Sequence, residues 1–440
     1  MITRIEIDGF KSFKDFAVDL EPLTAVVGAN SVGKSNLFEA LQLLARLIDM
    51  DILPALQGGR GRVADQFRRT VDGSLNHMRF AVELLLSANT EGCDVLAKDN
   101  LAADGGLAQT RVRYELGIER RSLGAGVEEL VIASEKALPI HEAADRWLTR
   151  HPELRGFARY GVEAPFLSVG HLALRVSEVA EYDGHGYLID DGLKAMGGLP
   201  RNASATSMNR LRGAFGPHLW ALSRELRGWR FLQVGAMELR GRSEPTAGVV
   251  LAADGANLPT VIAAAPVAAT AQIQADLAEL MPGLRSLRVT AGEEFGLEVE
   301  FSDGLRLPAR ILSDGTLRMV AFLTALRLAP PGSVVGIEEP ENGLYPGRLG
   351  ALVEKLIEAA SATRELPVQV LLNSHSPTVV ATLHDRPRSI LFADVVRHGE
   401  PLRSTRMRPV REPGPVDRSA TIGLDEIDRI LDTARPEEAA

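Results

Sequence analysis

Apolar and polar positions alternate from Ile2 to Ile7, so the chain opens on a predicted half-buried strand. Asp8–Asp15 reads as a turn and Phe16–Leu20 as the second strand of a hairpin. The apolar run Leu23-Thr24-Ala25-Val26-Val27 predicts a strand buried on both faces. The period then changes. Asn36–Leu44 has helical spacing, and the helix is expected to run to about Asp49 and break at Leu53-Pro54. Met78–Leu86, Arg111–Ile118 and Glu128–Ser134 predict three strands of an antiparallel lobe, with a small, polar loop over Ala88–Leu107. Ala143–Leu148 and Met208–Leu226 have helical patterns, and Gly184–Asn202 reads as loop. No heptad pattern lasts long enough for a coiled coil, and no internal repeat is visible. Trp229–Val234 resumes strand character. Leu251–Leu258 turns into a helix with Asp254 or Asn257 as its cap. A hairpin follows at Leu287–Thr290 and Leu297–Phe301, then a helix over Met319–Leu328. Ser333–Ile337 and Val368–Leu372 predict two more short buried strands, and Leu424–Thr433 a last helix.

Composition narrows the class. The chain has 440 residues, 45% hydrophobic and 24% charged, which is enough for a large core. The net charge of -9, from 49 basic and 58 acidic residues, does not announce nucleic-acid binding, which would need a local basic patch. Cys93 is the only cysteine, so no disulfide forms within the chain, as suits a reducing cytoplasm. The N-terminus lacks the apolar core of a secretion signal, and no apolar stretch reaches transmembrane length. The expectation is a cytoplasmic protein without a membrane partner.

The chemistry sits where strands end. Gly28-Ala29-Asn30-Ser31-Val32-Gly33-Lys34-Ser35 fits G-x-x-x-x-G-K-[ST], between a predicted strand and a helix that continues through Asn36. The glycines permit positive φ, backbone N–H groups turn toward phosphate, and the helix N-terminus adds partial positive charge. Lys34 is placed to reach β/γ-phosphates, and Ser35 to put its hydroxyl on Mg²⁺. Ser313 and Gly315 lie at a helix start, a second anion-binding position. Glu338 and Glu339 end a buried strand, where one acid would act on Mg²⁺ and the other on the attacking water. His375 ends the next strand, within range of a γ-phosphate. Each of these has an ordinary structural reading, but their joint order points to nucleotide hydrolysis. Two arginine groups have weaker meanings. Arg60, Arg62, Arg68 and Arg69 read as a solvated loop ahead of a contact with nucleotide or nucleic-acid phosphate, and Arg201, Arg210, Arg212, Arg224, Arg227 and Arg230 as a salt-bridged helical surface ahead of a face that tracks a phosphate backbone.

The order Gly28–Ser35, Leu312–Thr316, Ile337–Leu344 and Ser374–Pro377 resembles an ABC-type ATPase head. Gly9–Phe13 followed by Gly28–Asn30 resembles the RecF, SMC and OLD branch, within it the stand-alone AAA-type ATPases of bacteria. The likeness covers roughly 1–85 and 228–398. It implies an α/β P-loop fold with a mixed or parallel core sheet and an antiparallel β lobe; where SMC relatives insert a coiled coil, this chain is expected to insert a compact mixed helical lobe. It further implies that Lys34 and Ser35 are the Walker A pair. Glu338 stands where many relatives have Asp, Glu339 matches the catalytic glutamate, and His375 matches the switch histidine. Ser313 and Gly315 match the signature motif, with Asp314 in place of a more usual Gly. Gln57 and Gln66 are the candidates for the Q-loop glutamine.

The domains expected on this basis are four. Residues 1–135 form the first half of the head, 136–227 an inserted α-rich lobe, 228–398 the second half, and 399–440 a tail with a short helix. The family implies ATP and Mg²⁺ as cofactors and a homodimer closed by ATP, since the signature loop caps nucleotide bound to the opposite subunit. Two roles follow: a DNA-associated ATPase of repair or anti-phage defence, or the regulatory ATPase of a separate effector such as a nuclease. The 65 residues after His375 are too few for a nuclease domain.

Overall fold

Leu23–Val27 is completely buried, with Gln369–Ser374 and Ile390–Val396 paired parallel on either side. The computed structural model describes residues 1–71, 73–93, 101–170, 173–176, 188–190, 193–196, 204–210, 216–361, 365–396, 403–410 and 421–433. The core sheet has six strands in the order Arg230–Leu232, Val334–Glu338, Gln369–Ser374, Leu23–Val27, Ile390–Val396 and Ser404–Pro409. The first five run parallel, and the last is antiparallel. Such strands are apolar throughout because both faces are covered.

A second sheet of nine antiparallel strands stands across from it. Its centre is Ile2–Asp8, His77–Leu85, Arg111–Gly124 and Val127–Pro139. The helix Lys34–Leu47 is packed between the two sheets. Its Leu37, Leu41 and Leu44 share one core with Ile5, Val82 and Leu116 on one side and Val26 and Leu371 on the other. The opposite face of the core sheet is covered by Asp314–Arg327, Pro346–Ala359 and Val267–Leu280, through a second core that includes Leu317, Leu352 and Leu277. The result is a layered α/β arrangement with the phosphate-loop helix at its centre.

Several expectations need correction. The helix after the loop ends at Leu47, and Pro54 sits in the first turn of the next helix, Ile52–Gln57, where its missing N–H costs nothing. The segment 136–227 is not an α-rich lobe apart from the head. The strand Val127–Pro139 runs straight through the expected boundary at 135, and Leu167–Gly170 pairs with it. The strands Ala173–Val176, Leu188–Asp190 and Leu193–Met196 extend the same sheet. Alternation there was too short to register as strand. The helix Pro217–Gly228 belongs to the main core through Leu219, Leu222 and Leu226. Most of the predicted loop Gly184–Asn202 lies outside the described residues. Residues 399–440 are not simply a tail either, because Ser404–Pro409 closes the core sheet beside Ile390–Val396. Asn257 occupies the cap position of Leu258–Ala264 without capping it; its amide donates to the carbonyls of Ala247, Gly248 and Val250 and so closes that loop.

Candidate nucleotide-binding site

The loop Gly28–Gly33 leaves the carboxyl end of Leu23–Val27 and enters the helix at Lys34. Its backbone requires unusual torsions: φ is 151° at Gly28, 63° at Ser31 and 98° at Gly33. A Cβ on Gly33 would lie 2.0 Å from Thr405 Oγ1, so only glycine fits there. Lys34 is buried, and its Nζ donates to the carbonyls of Gly28 at 2.7 Å and Ala29 at 2.8 Å. Burial lowers the Lys34 ammonium below its ordinary pKa, and the carboxylates of Glu339 and Glu341 oppose that fall.

Glu338 ends the adjacent buried strand. One side chain links it to the loop. Asn373, fully buried, donates from Nδ2 to Glu338 Oε2 at 3.3 Å and to Ser35 Oγ at 3.4 Å. Its Oδ1 and its backbone carbonyl both accept from the Glu339 N–H, at 2.9 and 3.1 Å. These contacts hold Glu339 at φ 47°, a costly conformation for a non-glycine residue and one that recurs where geometry serves a site. The Glu339 carboxylate accepts from Asn342 Nδ2 at 2.9 Å. Glu341 lies one turn on. Its Oε1 accepts from Ser374 Oγ at 2.9 Å and from the His375 N–H at 2.7 Å, and it lies 3.0 Å from His375 Nδ1.

The structure thus brings together Lys34, Ser35, Glu338, Glu339 and His375. The Ser35 hydroxyl and the Glu338 carboxylate flank one amide, Asn373 Nδ2. A hydroxyl and one carboxylate are a fitting donor set for Mg²⁺, which takes few protein oxygens and completes its shell with phosphate and water. Ser313 and Gly315 also have local roles in this chain. Ser313 Oγ accepts from the Thr316 N–H at the start of Asp314–Arg327. A Cβ on Gly315 would sit 2.3 Å from the Gly343 carbonyl, so this glycine lets the signature loop pack on the turn after Glu339.

Two sequence families match the chain. Residues 1–83 match the family described as "AAA ATPase domain", and residues 200–381 match "AAA domain, putative AbiEii toxin, Type IV TA system". Among solved structures, the fold is similar to an SmcHead bound to the C-winged helix domain of ScpA (12% identity, 92% of this chain and 97% of that chain covered, TM-score 0.50). It is equally similar to an Smc head domain with an extended coiled coil, bound to the C-terminal domain of ScpA derived from Pyrococcus furiosus (10% identity, 99% of each chain covered, TM-score 0.50). The chain has the fold of the Smc head domains, and its two halves carry the AAA-family matches. No curated protein matches it.

Within the head, three residues that carry the geometry were not singled out by the motifs. Asn373 and Glu341 are polar groups beside a buried strand end, which is a usable signal. Arg60 is the third. Its NH2 reaches Glu338 Oε2 at 3.3 Å, and its N–H donates to Glu39. The glycine-rich loop is therefore not merely solvated. Arg68 is also buried, donating to the Ser12 carbonyl and to Ser404 Oγ. Of the glutamine candidates, Gln57 is exposed, and Gln66 Nε2 donates to the Arg60 carbonyl at 2.7 Å. The phosphate loop is braced from behind. Thr405 Oγ1 donates to the Val32 carbonyl at 2.8 Å and lies 2.6 Å from Ser12 Oγ, which accepts from Asn36 Nδ2 at 2.7 Å.

Of the second arginine group, Arg201, Arg212 and the side chain of Arg210 lie outside the described residues. Arg227 is paired with Asp49 at 3.0 Å, as a salt-bridged surface would have it, whereas Arg224 and Arg230 bond backbone carbonyls. No helix among the described residues is long and apolar enough to cross a membrane.

Proposed function

We propose that the head binds ATP with Mg²⁺ at Gly28–Asn36 and hydrolyses it, and that two copies close on two nucleotides. The observation that carries this reading is Asn373, which ties Ser35, Glu338 and the Glu339 backbone into one unit beneath the loop. On ATP binding, Lys34 exchanges its loop carbonyls for β/γ-phosphate oxygens. Glu339 orients and polarises the attacking water, and His375, steered by Glu341, contacts the γ-phosphate. Ser35 and Glu338 would hold Mg²⁺, which when bound neutralises charge on the phosphates.

Ser313, at the helix start, would contact nucleotide on a second copy, with Gly315 letting its loop pack close. Ile311, Tyr345 and Met237 favour such a partner, being exposed by 58%, 77% and 77% around the signature and its packed turn. Hydrolysis would then release the dimer.

The closed dimer would act on double-stranded DNA. Arg285, Arg288 and Arg306 stand exposed around the single, largely buried Glu300 and offer a basic surface to a phosphate backbone. The toxin–antitoxin description of the matching family favours a defence setting. It equally favours a second reading, a regulatory ATPase that switches a separate effector protein. The test is ATP turnover with and without double-stranded DNA, with Glu339→Gln as control. Turnover raised by DNA, and a variant that dimerises on ATP without hydrolysis, are expected. Turnover indifferent to DNA at low salt would favour the effector reading; no turnover at all would overturn the site.

A further inference from the structure

A cleft of about 590 Å³ opens at the end of the core sheet opposite the phosphate loop. It lies between the helix Pro217–Gly228, the start of Arg230–Leu232 and the turn at Pro330–Ser333 that begins Val334–Glu338. The five residues of that last strand separate it from Glu338, roughly 16 Å at strand rise, so it is distinct from the nucleotide site.

Four arginines line the cleft. Two are neutralised: Arg159 by a two-point pair with Asp104, and Arg227 by Asp49. The other two have no carboxylate in hydrogen-bond contact among the described residues. Arg230 donates to the carbonyls of Arg227 and Trp229, at 2.5 and 3.0 Å. Arg224 donates to the Asn89 carbonyl at 2.9 Å and lies over the Trp220 ring. Two acids also line the cleft: Glu225, engaged by the Met1 ammonium at 2.6 Å and Trp229 Nε1 at 3.1 Å, and the exposed Glu365. Burial depresses the pKa of both Arg224 and Arg230; Glu225 partly opposes the fall at Arg224, and burial is the sole cause at Arg230.

Partly desolvated cations facing a cavity are costly unless an anion meets them. Guanidinium groups are suited to phosphate oxygens, which they bind by paired N–H donors. Phe157, Pro330, Pro331 and Leu366 supply an apolar wall beside them. The volume falls in the range of small-ligand sites, about 300–1,000 Å³, and is concave rather than a surface for a duplex. We propose that this cleft is a second ligand site, which takes a phosphate ester with a ring-sized apolar body, of mononucleotide dimensions, through Arg224 and Arg230.

The test uses full-length protein carrying Lys34→Ala, so that the phosphate loop is weakened, titrated calorimetrically with AMP and separately with inorganic phosphate. Saturable AMP binding is expected, at least tenfold tighter than phosphate, weakened tenfold or more by Arg230→Gln and less by Arg230→Lys. ATP binding at an intact Lys34 should survive Arg230→Gln, which shows that the variant folds. Absence of AMP binding, AMP binding unchanged by Arg230→Gln, or AMP no tighter than inorganic phosphate would each overturn the proposal. None of these outcomes depends on ATP being hydrolysed at the other site.

Discussion

Glu341 holds His375 twice: one carboxylate oxygen accepts the histidine's backbone N–H at 2.7 Å and lies 3.0 Å from its Nδ1. A carboxylate on Nδ1 keeps the proton there and leaves Nε2 to face outward. Glu341→Ala should therefore lower kcat by about tenfold, the scale of one lost charge-assisted hydrogen bond. Adding His375→Ala should cost little more, because the two act as one unit. Steady-state turnover of the single and double variants tests this. Additive losses would mean that Glu341 does not work through the histidine.

Asn373→Leu keeps the volume and removes the amide between Ser35 and Glu338. The Glu339 N–H retains the backbone carbonyl of residue 373, so the fold should survive. Turnover is expected to fall about 10–100-fold, as when a residue that orients metal ligands is lost, with a raised Mg²⁺ requirement. Turnover titrated against Mg²⁺ distinguishes this from a general loss of stability, which would leave the Mg²⁺ midpoint in place.

Thr405 donates to the Val32 carbonyl, and its hydroxyl occupies the space beside Gly33. Thr405→Val should raise KM for ATP by about 2–10-fold, the worth of a neutral hydrogen bond, with kcat nearly unchanged. Thr405→Ser should restore it. A fall in kcat with KM constant would place Thr405 in the chemistry rather than behind the loop.

Glu135 is buried, and burial raises its pKa above the ordinary carboxylate range despite hydrogen bonds from Tyr114 and the Ser207 N–H. The folded state therefore holds this proton more tightly than the unfolded chain, and its contribution is full below the unfolded value and lost as pH rises through the folded one. Glu135→Gln cannot ionise. Melting temperatures measured from pH 4 upward should show wild type losing stability relative to the variant as pH rises. Parallel curves would refute it.

The loop at Gly28–Ser35, the placement of Glu338, Glu339 and His375 at strand ends and the buried parallel strands were legible in the sequence because each is a local pattern. A run such as Leu23–Val27 is apolar because both faces of its strand are covered, and the glycine, lysine and serine that follow must occupy fixed steps along the backbone. The reach of the antiparallel sheet was not legible. Its outer strands, such as Leu167–Gly170, are four residues or fewer, too short for a period of two to mark them. The same holds for residues that act only through tertiary contact. Thr405 stands more than three hundred positions from the loop it braces, and Asn373 as far from Ser35. Arg230 likewise carries no motif; a cleft exists there only because two sheets and a helix meet. Chain order determined which chemistry this protein can carry, since loop, acid and histidine are backbone-local devices. Packing alone decided how they converge, because hydrogen bonds between distant side chains are created by burial and leave no period in the sequence.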